Sequence, residues 1–251
     1  MVQSVDRALT IITLVSKRKE GIGVTELASH LDLNKSSIFR LLSTLAEHGF
    51  IEQNPETKKY RLGYKYLELS SMLLESIDLR DQAKPYLEEL KQFTNEVVHL
   101  VVYDQGEVVY IEKLEGSETL RTHSQVGRRA PLHSTSAGKV IYGHLPLNEI
   151  MDNLDKYGLP GYTEHTITDK DAFLKELSRI RNEGYATEIE ENEPGVTCIA
   201  APIFDHRKKI VAAISVSGPS MRMTTERLNE MKPVIMEIGK KISKRLGYTE
   251  H

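Results

Sequence analysis

The sequence predicts an α+β protein of two domains, a small helical one followed by a larger one built on an antiparallel sheet. Up to about residue 50, the apolar residues recur at helical spacing. From residue 96 onward, short apolar runs alternate with glycine-containing turns, which is typical of antiparallel strands. Helices are predicted before, within and after these strands, as in α+β domains. At 251 residues, the chain is long enough to bury two cores.

Residues 24–49 predict two helices joined by a turn at residues 32–34. Asn34 is a good N-cap for the second helix, and Gly49 lies where a glycine is expected just past a helix end. Apolar spacing at i, i+3, i+4 and i+7 predicts a buried stripe of Ile38, Leu41, Leu42 and Leu45. Exposed hydroxyls and an arginine suit phosphate oxygens and base edges of DNA. The candidate DNA-contacting residues of this helix are Ser36, Ser37, Phe39, Arg40, Ser43 and Thr44.

A β-hairpin is predicted directly after this helix pair, with strands at residues 50–53 and 59–62 around a proline-containing turn. Lys58, Lys59 and Arg61 lie at its tip and on its return strand, where they could meet a phosphate backbone. A helix, a helix–turn–helix and a basic hairpin together describe a winged helix–turn–helix over residues 1–63. An ordinary helical hairpin with a polar outer face is the alternative for the helix pair taken alone.

The first helix is predicted from Ser4, a cap-like serine, to about residue 18. Its apolar face is wide. The inward stripe is predicted to consist of Val5, Leu9, Ile12 and Val15 or Ser16, widened by Ala8 and Ile11. Such a width exceeds what a three-helix domain requires. Either the helix also packs against a second copy of the chain, or the whole stripe is buried within one copy.

A helical connector is predicted over residues 64–78, and the second domain over residues 79–251. The connector is neither Gly/Ser-rich nor Pro-rich, so we expect a stiff junction between the two domains. In the helix that follows, Pro85 predicts a kink or boundary near residues 83–84, and Pro233 is expected to interrupt the final helix early. Strands are predicted at 97–103, 107–114, 119–124, 184–190, 197–204 and 209–217, and further helices at 134–145, 147–154, 170–182 and 224–246.

Charge and composition favour a modular, intracellular protein. Residues 1–70 carry 10 basic and 8 acidic side chains, a net +2, whereas the remainder carries 23 and 28, a net −5. A slightly basic first domain weakly favours a polyanionic partner. Apolar runs fall short of the roughly 18 residues that a membrane helix needs, and the first residues do not form a signal peptide. We therefore expect a cytoplasmic protein without a membrane partner.

Enzymatic alternatives fail on residue spacing. Around Gly138 and Lys139 the chain has His133 and Val140 where a phosphate-binding loop needs glycine and Ser or Thr, and neither a Gly-x-Ser-x-Gly nor a His-Glu-x-x-His motif occurs. A single cysteine, Cys198, excludes an intrachain disulfide and a cysteine-cluster zinc site. We expect Cys198 to be a buried small apolar residue and His99 to be a core histidine. No cofactor, metal or catalytic residue is predicted; a Cys198-based redox sensor is an alternative.

Several ordered motifs make the whole chain resemble the IclR-type (isocitrate lyase regulator) family of bacterial transcription factors. The motifs are Ser4-Val-Asp-Arg-Ala-Leu, Leu41-Leu-Ser-Thr-Leu, Tyr60-Arg-Leu-Gly, the segments 127–139 and 195–205, and Ala213-Ile-Ser-Val-Ser-Gly-Pro. The resemblance implies a winged helix–turn–helix and a GAF/profilin-like domain that binds a small, usually carboxylate-bearing metabolite. It also implies a repressor that acts as a homodimer, or a dimer of dimers, on palindromic double-stranded DNA. A ligand-binding module whose first domain mediates protein contacts is the alternative.

The resemblance also implies which residues bind the effector. These are Thr119, Thr122, Ala130, Ser136, Ala137, Glu188, Val196, Cys198, Ser215 and Ser217. Physical arguments agree for some of them: Ser215 and Ser217 are two apart on a strand and so face one way, and the first amides of the helix 136–138 can bind an anion. Related regulators often carry an aspartate where this chain has Glu188. The longer acid either reaches into the cavity or swings out to solvent.

Overall fold

The computed structural model describes residues 2–76, 78–116 and 124–250. The chain divides into two compact units, Met1–Ile77 and Asp78–His251. The first unit therefore includes nearly all of the segment predicted as a connector. Each unit has its own cluster of buried apolar residues. In the described residues, no helix is long and apolar enough to cross a membrane.

The first unit is a winged helix–turn–helix. Its elements are α1 (Gln3–Ser16), α2 (Val24–Leu31), α3 (Lys35–Glu47), β1 (Ile51–Gln53), β2 (Tyr60–Leu62) and α4 (Lys65–Ser76). The strands β1 and β2 form an antiparallel hairpin, and Ile22 pairs with Tyr60 beside them. Ile38 and Leu42 of α3 are fully buried against Ile11 of α1 and Leu27 of α2, so the predicted stripe of α3 does form the core of this unit.

The predicted ends of α3 are confirmed by its capping contacts. The side chain of Asn34 accepts a hydrogen bond from the backbone N–H of Ser37 at 2.8 Å. At the other end, Gly49 adopts φ +73°, a left-handed conformation that favours glycine. The amide of Phe50 then donates to the carbonyl of Leu45 at 2.9 Å, which closes a Schellman-type C-cap. Both helix ends are therefore specified locally by the sequence.

The predicted inward stripe of α1 is partly wrong. Val5 and Leu9 point to solvent, with exposures of 55% and 59%, whereas the buried face is centred on Ile11 and Val15. The helix also begins at Gln3, so Ser4 lies inside it and is not the cap. Relative to the prediction, the helix is rotated about its axis, because Ile11, which was expected at the margin of the apolar stripe, fills the core shared with α3. An apolar strip of α1 thus remains uncovered in a single copy.

The second unit is built on one antiparallel sheet. Its elements are α5 (Leu79–Thr94), β3 (Val97–Asp104), β4 (Glu107–Leu114), β5 (Arg129–Pro131), α6 (Ser136–His144), α7 (Leu147–Tyr157), α8 (Lys170–Glu183), β6 (Ala186–Ile189), β7 (Val196–Phe204), β8 (Ile210–Pro219) and α9 (Thr225–Arg245). Within the described ranges, six strands pair in the order β5-β4-β3-β8-β7-β6. The α+β prediction is confirmed.

Helices cover both faces of this sheet. On one face α6 packs against β7 and β8, with α8 behind it, and Ala200 belongs to this core. On the other face α9 crosses β7 so closely that a Cβ at Gly239 would lie 3.4 Å from the Cβ of Ala201. Because Ala200 and Ala201 point to opposite faces of one strand, the sheet is buried on both sides. The first turn of α6 is therefore held directly over the sheet.

The second unit differs from the sequence prediction at two prolines and at one short strand. Neither Pro85 nor Pro233 ends its helix: α5 and α9 run continuously through them. Packing of both helices on the sheet outweighs the hydrogen bond that each proline removes. The strand β5 was not predicted, because three residues are too short for an alternating pattern to show. The strand predicted at 119–124 falls almost entirely on residues 117–123, outside the described residues.

Candidate functional site

The outward face of α3 carries the residues proposed to contact DNA. Ser36, Phe39, Arg40, Ser43 and Thr44 are exposed, and Ser37 is half-buried. The Ser36 hydroxyl donates to the side-chain oxygen of Asn34 at 2.8 Å, and that of Thr44 donates to the carbonyl of Arg40 at 3.1 Å. Both hydroxyl oxygens can still accept a hydrogen bond. Apart from Phe39, the side chains named on this face are polar, which suits a helix that enters a major groove.

Two of the three basic residues predicted on the hairpin form no ion pair with any residue that the structure describes. Lys58 and Lys59 are exposed at the turn, where Lys58 adopts φ +57°. Arg61 differs, because its Nε lies 2.6 Å from a carboxylate oxygen of Glu52 on the paired strand. Phosphate contact by Arg61 would have to compete with that pair, so the two lysines are the stronger candidates for a DNA backbone.

The second unit contains a cavity of about 490 Å³ between the sheet and the first turn of α6. A volume of this size suits a small molecule. The structure brings together eight of the residues predicted to bind an effector, namely Ala130, Ser136, Ala137, Glu188, Val196, Cys198, Ser215 and Ser217. Thr119 and Thr122 lie outside the described residues. Segments distant in sequence therefore converge on one cavity.

Strand register explains why these side chains meet. Glu188 on β6 is paired directly with Cys198 on β7, and Cys198 with Ser217 on β8. Ser215, two residues before Ser217, is paired with His99 on β3. Paired residues in antiparallel strands point to the same face of the sheet. The result is a row of polar side chains across four strands, on the side covered by α6.

The first turn of α6 offers fewer free amides than expected. The hydroxyl of Thr135 caps the helix by accepting from the amide of Gly138 at 3.1 Å. The amides of Ser136 and Ala137 have no hydrogen-bond partner among the described residues. Two amides of the three predicted can therefore meet an anion, with the positive end of the helix dipole behind them.

Glu188 does not swing out to solvent. Glu188 is 2% exposed and lines the cavity. One carboxylate oxygen accepts from the backbone amide of Glu191 at 2.6 Å and from that of Asn192 at 3.1 Å. Burial raises the pKa of Glu188 to about 7, against the lowering effect of these hydrogen bonds. The extra methylene of glutamate thus lets the side chain fold back onto its own loop.

Cys198 lies in surroundings that disfavour a reactive thiol. It is buried, and its Sγ donates to the hydroxyl of Ser217 at 3.1 Å. Burial raises the pKa of the thiol well above its ordinary value, and the nearby Glu188 raises it further. Since the thiolate is the reactive form, this environment disfavours nucleophilic chemistry and oxidation. Within the described residues, no cluster of three or more His, Cys, Asp or Glu side chains could hold a metal ion.

His99 is buried, as expected of a core histidine, and it also lines the cavity. Its Nε2 lies 2.8 Å from the hydroxyl of Ser124, and its ring meets Tyr110 edge-on with centroids 4.9 Å apart. Burial, aided by the charge of Lys113, lowers the pKa of His99 to about 3, so the imidazole is neutral. The sequence analysis did not identify His99 as a cavity residue, because its position there depends on the pairing of β3 with β8, which is distant in sequence.

The remaining lining residues give the cavity two unlike ends. Those that sequence analysis missed are Tyr110, Ser124, Arg128, Arg129, Pro131, Thr135, Tyr162, Asn192 and Glu193. Arg129 begins β5 at one edge of the sheet, and Arg128 directly precedes it. Glu188 lies on β6 at the other edge, and Glu193 follows in the loop after it. Arg129 is already paired with Asp104. Polar ligands would thus meet positive charge at one end and carboxyl groups at the other.

Comparison with known proteins agrees with both units. Residues 4–55 match the IclR helix-turn-helix domain, and residues 71–244 match the bacterial transcriptional regulator IclR C-terminal domain. The HTH-type transcriptional regulator XynR of Escherichia coli K12 is 38% identical over 248 residues, covering 99% of this chain and 98% of XynR. The HTH-type transcriptional regulator KdgR of the same strain is 36% identical over 250 residues, covering 100% of this chain and 95% of KdgR.

A solved structure extends the comparison to the fold. The crystal structure of the Thermotoga maritima IclR superposes with a TM-score of 0.67 at 34% sequence identity, and covers 99% of this chain and 100% of its own. The matching domains, the relatives at more than 30% identity and the shared fold agree with the two units described above. This chain belongs to the IclR family of bacterial transcriptional regulators, and it is a DNA-binding regulator rather than an enzyme.

Proposed function

We propose that this regulator is a cytoplasmic repressor, released from or locked onto its operator by a small carboxylate-bearing metabolite that binds in the cavity of the second unit. The observation that carries the proposal is the convergence of eight effector-site candidates on one cavity of about 490 Å³. Ligand control requires that the metabolite bind the DNA-competent and incompetent arrangements unequally. The repressing sense is what membership of this family implies.

The proposed carboxylate specificity is supported by the hydrogen-bond donors that line the cavity. The free amides of Ser136 and Ala137 point from the start of α6, and Arg128 adds a positive charge. The hydroxyls of Ser215 and Ser217 can donate to the same ligand. A neutral apolar ligand would leave these groups buried and unsatisfied, which is unfavourable.

The DNA-bound form is proposed to be a homodimer on a palindrome, with the possibility of a dimer of dimers. The uncovered apolar strip of α1, Val5 and Leu9, supports contact with a second copy. Two copies of α3 would then enter successive major grooves about 34 Å apart. Arg40 is proposed to contact a base edge, with Ser36, Ser37, Phe39, Ser43 and Thr44 beside it. Lys58, Lys59 and Arg61 are assigned to the backbone.

The proposal is tested by measuring operator affinity in the presence of defined carboxylates. An operator is first obtained by selection from random duplexes. Fluorescence anisotropy then follows its binding while acetate, lactate, pyruvate or succinate is added. At least one carboxylate should shift the affinity of the unaltered chain, and the Ser215→Val variant should lose that shift while it still binds DNA. A cavity that controls nothing would give the same affinity with and without every carboxylate.

A further inference from the structure

Lys139 on α6 is a buried charge that the proposed binding of DNA and effector does not use. Its side chain is 1% exposed, and its Nζ lies 2.5 Å from a carboxylate oxygen of Glu191 and 3.8 Å from one of Glu176. Burying an ammonium group is strongly unfavourable unless it is paired, and an apolar side chain of similar size is often as stable there. Stability alone therefore does not explain why the ion pair of Lys139 and Glu191 is buried at this place.

Glu191 lies in the segment 188–193 between β6 and β7, here called the acidic loop. The backbone of Glu191 is tied on both sides: its amide donates to Glu188 at 2.6 Å, and its carbonyl accepts from the hydroxyl of Thr166 at 2.6 Å. Its Oε2 is buried and has no hydrogen-bond partner in the described part of the chain. The side chain of Glu191 is thus held by its Oε1 contact with Lys139.

The acidic loop forms one end of the cavity, because Glu188, Asn192 and Glu193 all line it. The first turn of α6, which carries Ser136 and Ala137, lines the same cavity. Lys139 follows these residues by less than one helical turn. The Lys139–Glu191 pair therefore joins two of the segments that line the cavity.

We propose that Lys139 is a positioning residue that fixes the acidic loop against α6, so that Glu188 is presented to the effector and selects a ligand with a hydrogen-bond donor at that end. The inference rests on the proposed effector role of the cavity and adds what the acidic end recognises. A small acid that also carries a hydroxyl group fits both ends: its carboxylate lies toward Arg128, and its hydroxyl lies toward Glu188.

The chain supplies a matched control for a merely structural role. Arg181 of α8 holds the far end of α6, with its Nε 2.6 Å from the carbonyl of Gly143 and an Nη 2.8 Å from that of Leu145. Like Lys139, it ties α6 to a neighbouring element through charge-assisted contacts. Unlike Lys139, it touches no part of the acidic loop. Loss of Arg181 should lower stability without moving the cavity wall.

Cys198 provides a readout that needs neither effector nor DNA. It is the single cysteine of the chain, it lies in the cavity wall, and it is paired in register with Glu188. Iodoacetamide labelling of the native full-length chain therefore reports opening of this wall. Because no ligand is involved, the result is independent of whether carboxylates control DNA binding.

The experiment compares the labelling rate and the melting temperature of four proteins: the unaltered chain, Lys139→Met, Lys139→Met/Glu191→Met, and Arg181→Met. Both variants that lack Lys139 should label at least about tenfold faster, because local opening governs access to a buried group. The double variant should recover most of any lost melting temperature, since no charge is left unpaired. Arg181→Met should label within about twofold of the unaltered chain despite a lower melting temperature.

The proposal is overturned if the folded double variant labels at the unaltered rate, or if Arg181→Met accelerates labelling as much as Lys139→Met does. The ligand part is tested with two probes that differ by one hydroxyl, pentanoate and 5-hydroxypentanoate. The unaltered chain should bind the hydroxy acid about tenfold more tightly, by one hydrogen bond, and Glu188→Leu should abolish the difference. Equal affinity of the unaltered chain for both would contradict the role assigned to Glu188.

Discussion

Glu188 and Cys198 are direct partners across the ladder of β6 and β7, and both side chains line the cavity. A carboxyl group and a thiol are thus buried side by side; burial raises the pKa of both groups, and Glu188 raises that of the Cys198 thiol further. The carboxyl group is the member that titrates near neutral pH. The charge of the cavity wall should therefore depend on pH in the physiological range.

The first prediction concerns stability and pH. The pKa of Glu188 is raised from 4.5 to about 7, so the native state binds more protons than the unfolded state between these values. The free energy of unfolding must fall as pH rises through this window, and the effect is complete above about pH 7. Glu188→Gln removes this dependence. Relative to the unaltered chain, the variant should gain on the order of 2–3 kcal/mol between pH 4.5 and 7.5.

Urea denaturation at several pH values, followed by circular dichroism, measures this difference. Glu190→Gln is a useful control, because a hydrogen bond from the Gly195 amide lowers the pKa of Glu190. Its stabilising effect is present above the unfolded pKa and is lost as pH falls, so its removal acts in the opposite direction. Parallel stability curves for Glu188→Gln and the unaltered chain would show that this carboxyl group is not perturbed.

The second prediction separates the fold of α3 from its contact with DNA. Asn34→Ala removes the N-cap contact with Ser37 and should destabilise the first unit by about 1 kcal/mol. Hydrogen exchange of the α3 amides, which should quicken by about fivefold, measures this. Asn34→Asp keeps a capping oxygen and should leave exchange unchanged, yet its negative charge should weaken DNA binding. Equal DNA affinity for Asn34→Asp and the unaltered chain would place this helix end away from phosphate.

The third prediction concerns the hairpin. Lys58→Asn is the appropriate change, because asparagine tolerates the left-handed conformation that Lys58 adopts at φ +57°. Removing one phosphate contact should reduce the slope of log affinity against log salt by about 0.9, whatever the DNA sequence. Arg61→Gln should change the slope less, because Arg61 is already paired with Glu52. A slope unaltered in Lys58→Asn would exclude the hairpin from the interface.

Local signals predicted the element that is proposed to contact DNA. The capping residue Asn34, the terminal Gly49 and the apolar spacing from Ile38 to Leu45 each act within one or two helical turns, so the sequence specifies α3 directly. The orientation of α1 could not be predicted in the same way. Its apolar face is wide enough for two rotations, and packing of Ile11 against α3 decides between them.

The cavity was only partly predictable for a related reason. Ser215 and Ser217 could be assigned to one face of a strand from their spacing alone. The contribution of His99 depends on its pairing with Ser215, and that of Asn192 on a loop folded over Glu188. Both relationships are set by tertiary structure rather than by local pattern. The resemblance to a family supplied most of the remaining residues.

The most direct test of the account is selection of duplex DNA from a random pool by the full-length chain and by its Arg40→Ala variant. If two copies of α3 enter successive major grooves, the selected DNA should be a palindrome whose half-site centres are separated by about 10 base pairs or a multiple of that. Arg40→Ala should bind it about 1–3 kcal/mol more weakly and lose preference at one position in each half-site. No enriched motif, or the same motif at equal strength for both proteins, would contradict recognition through α3.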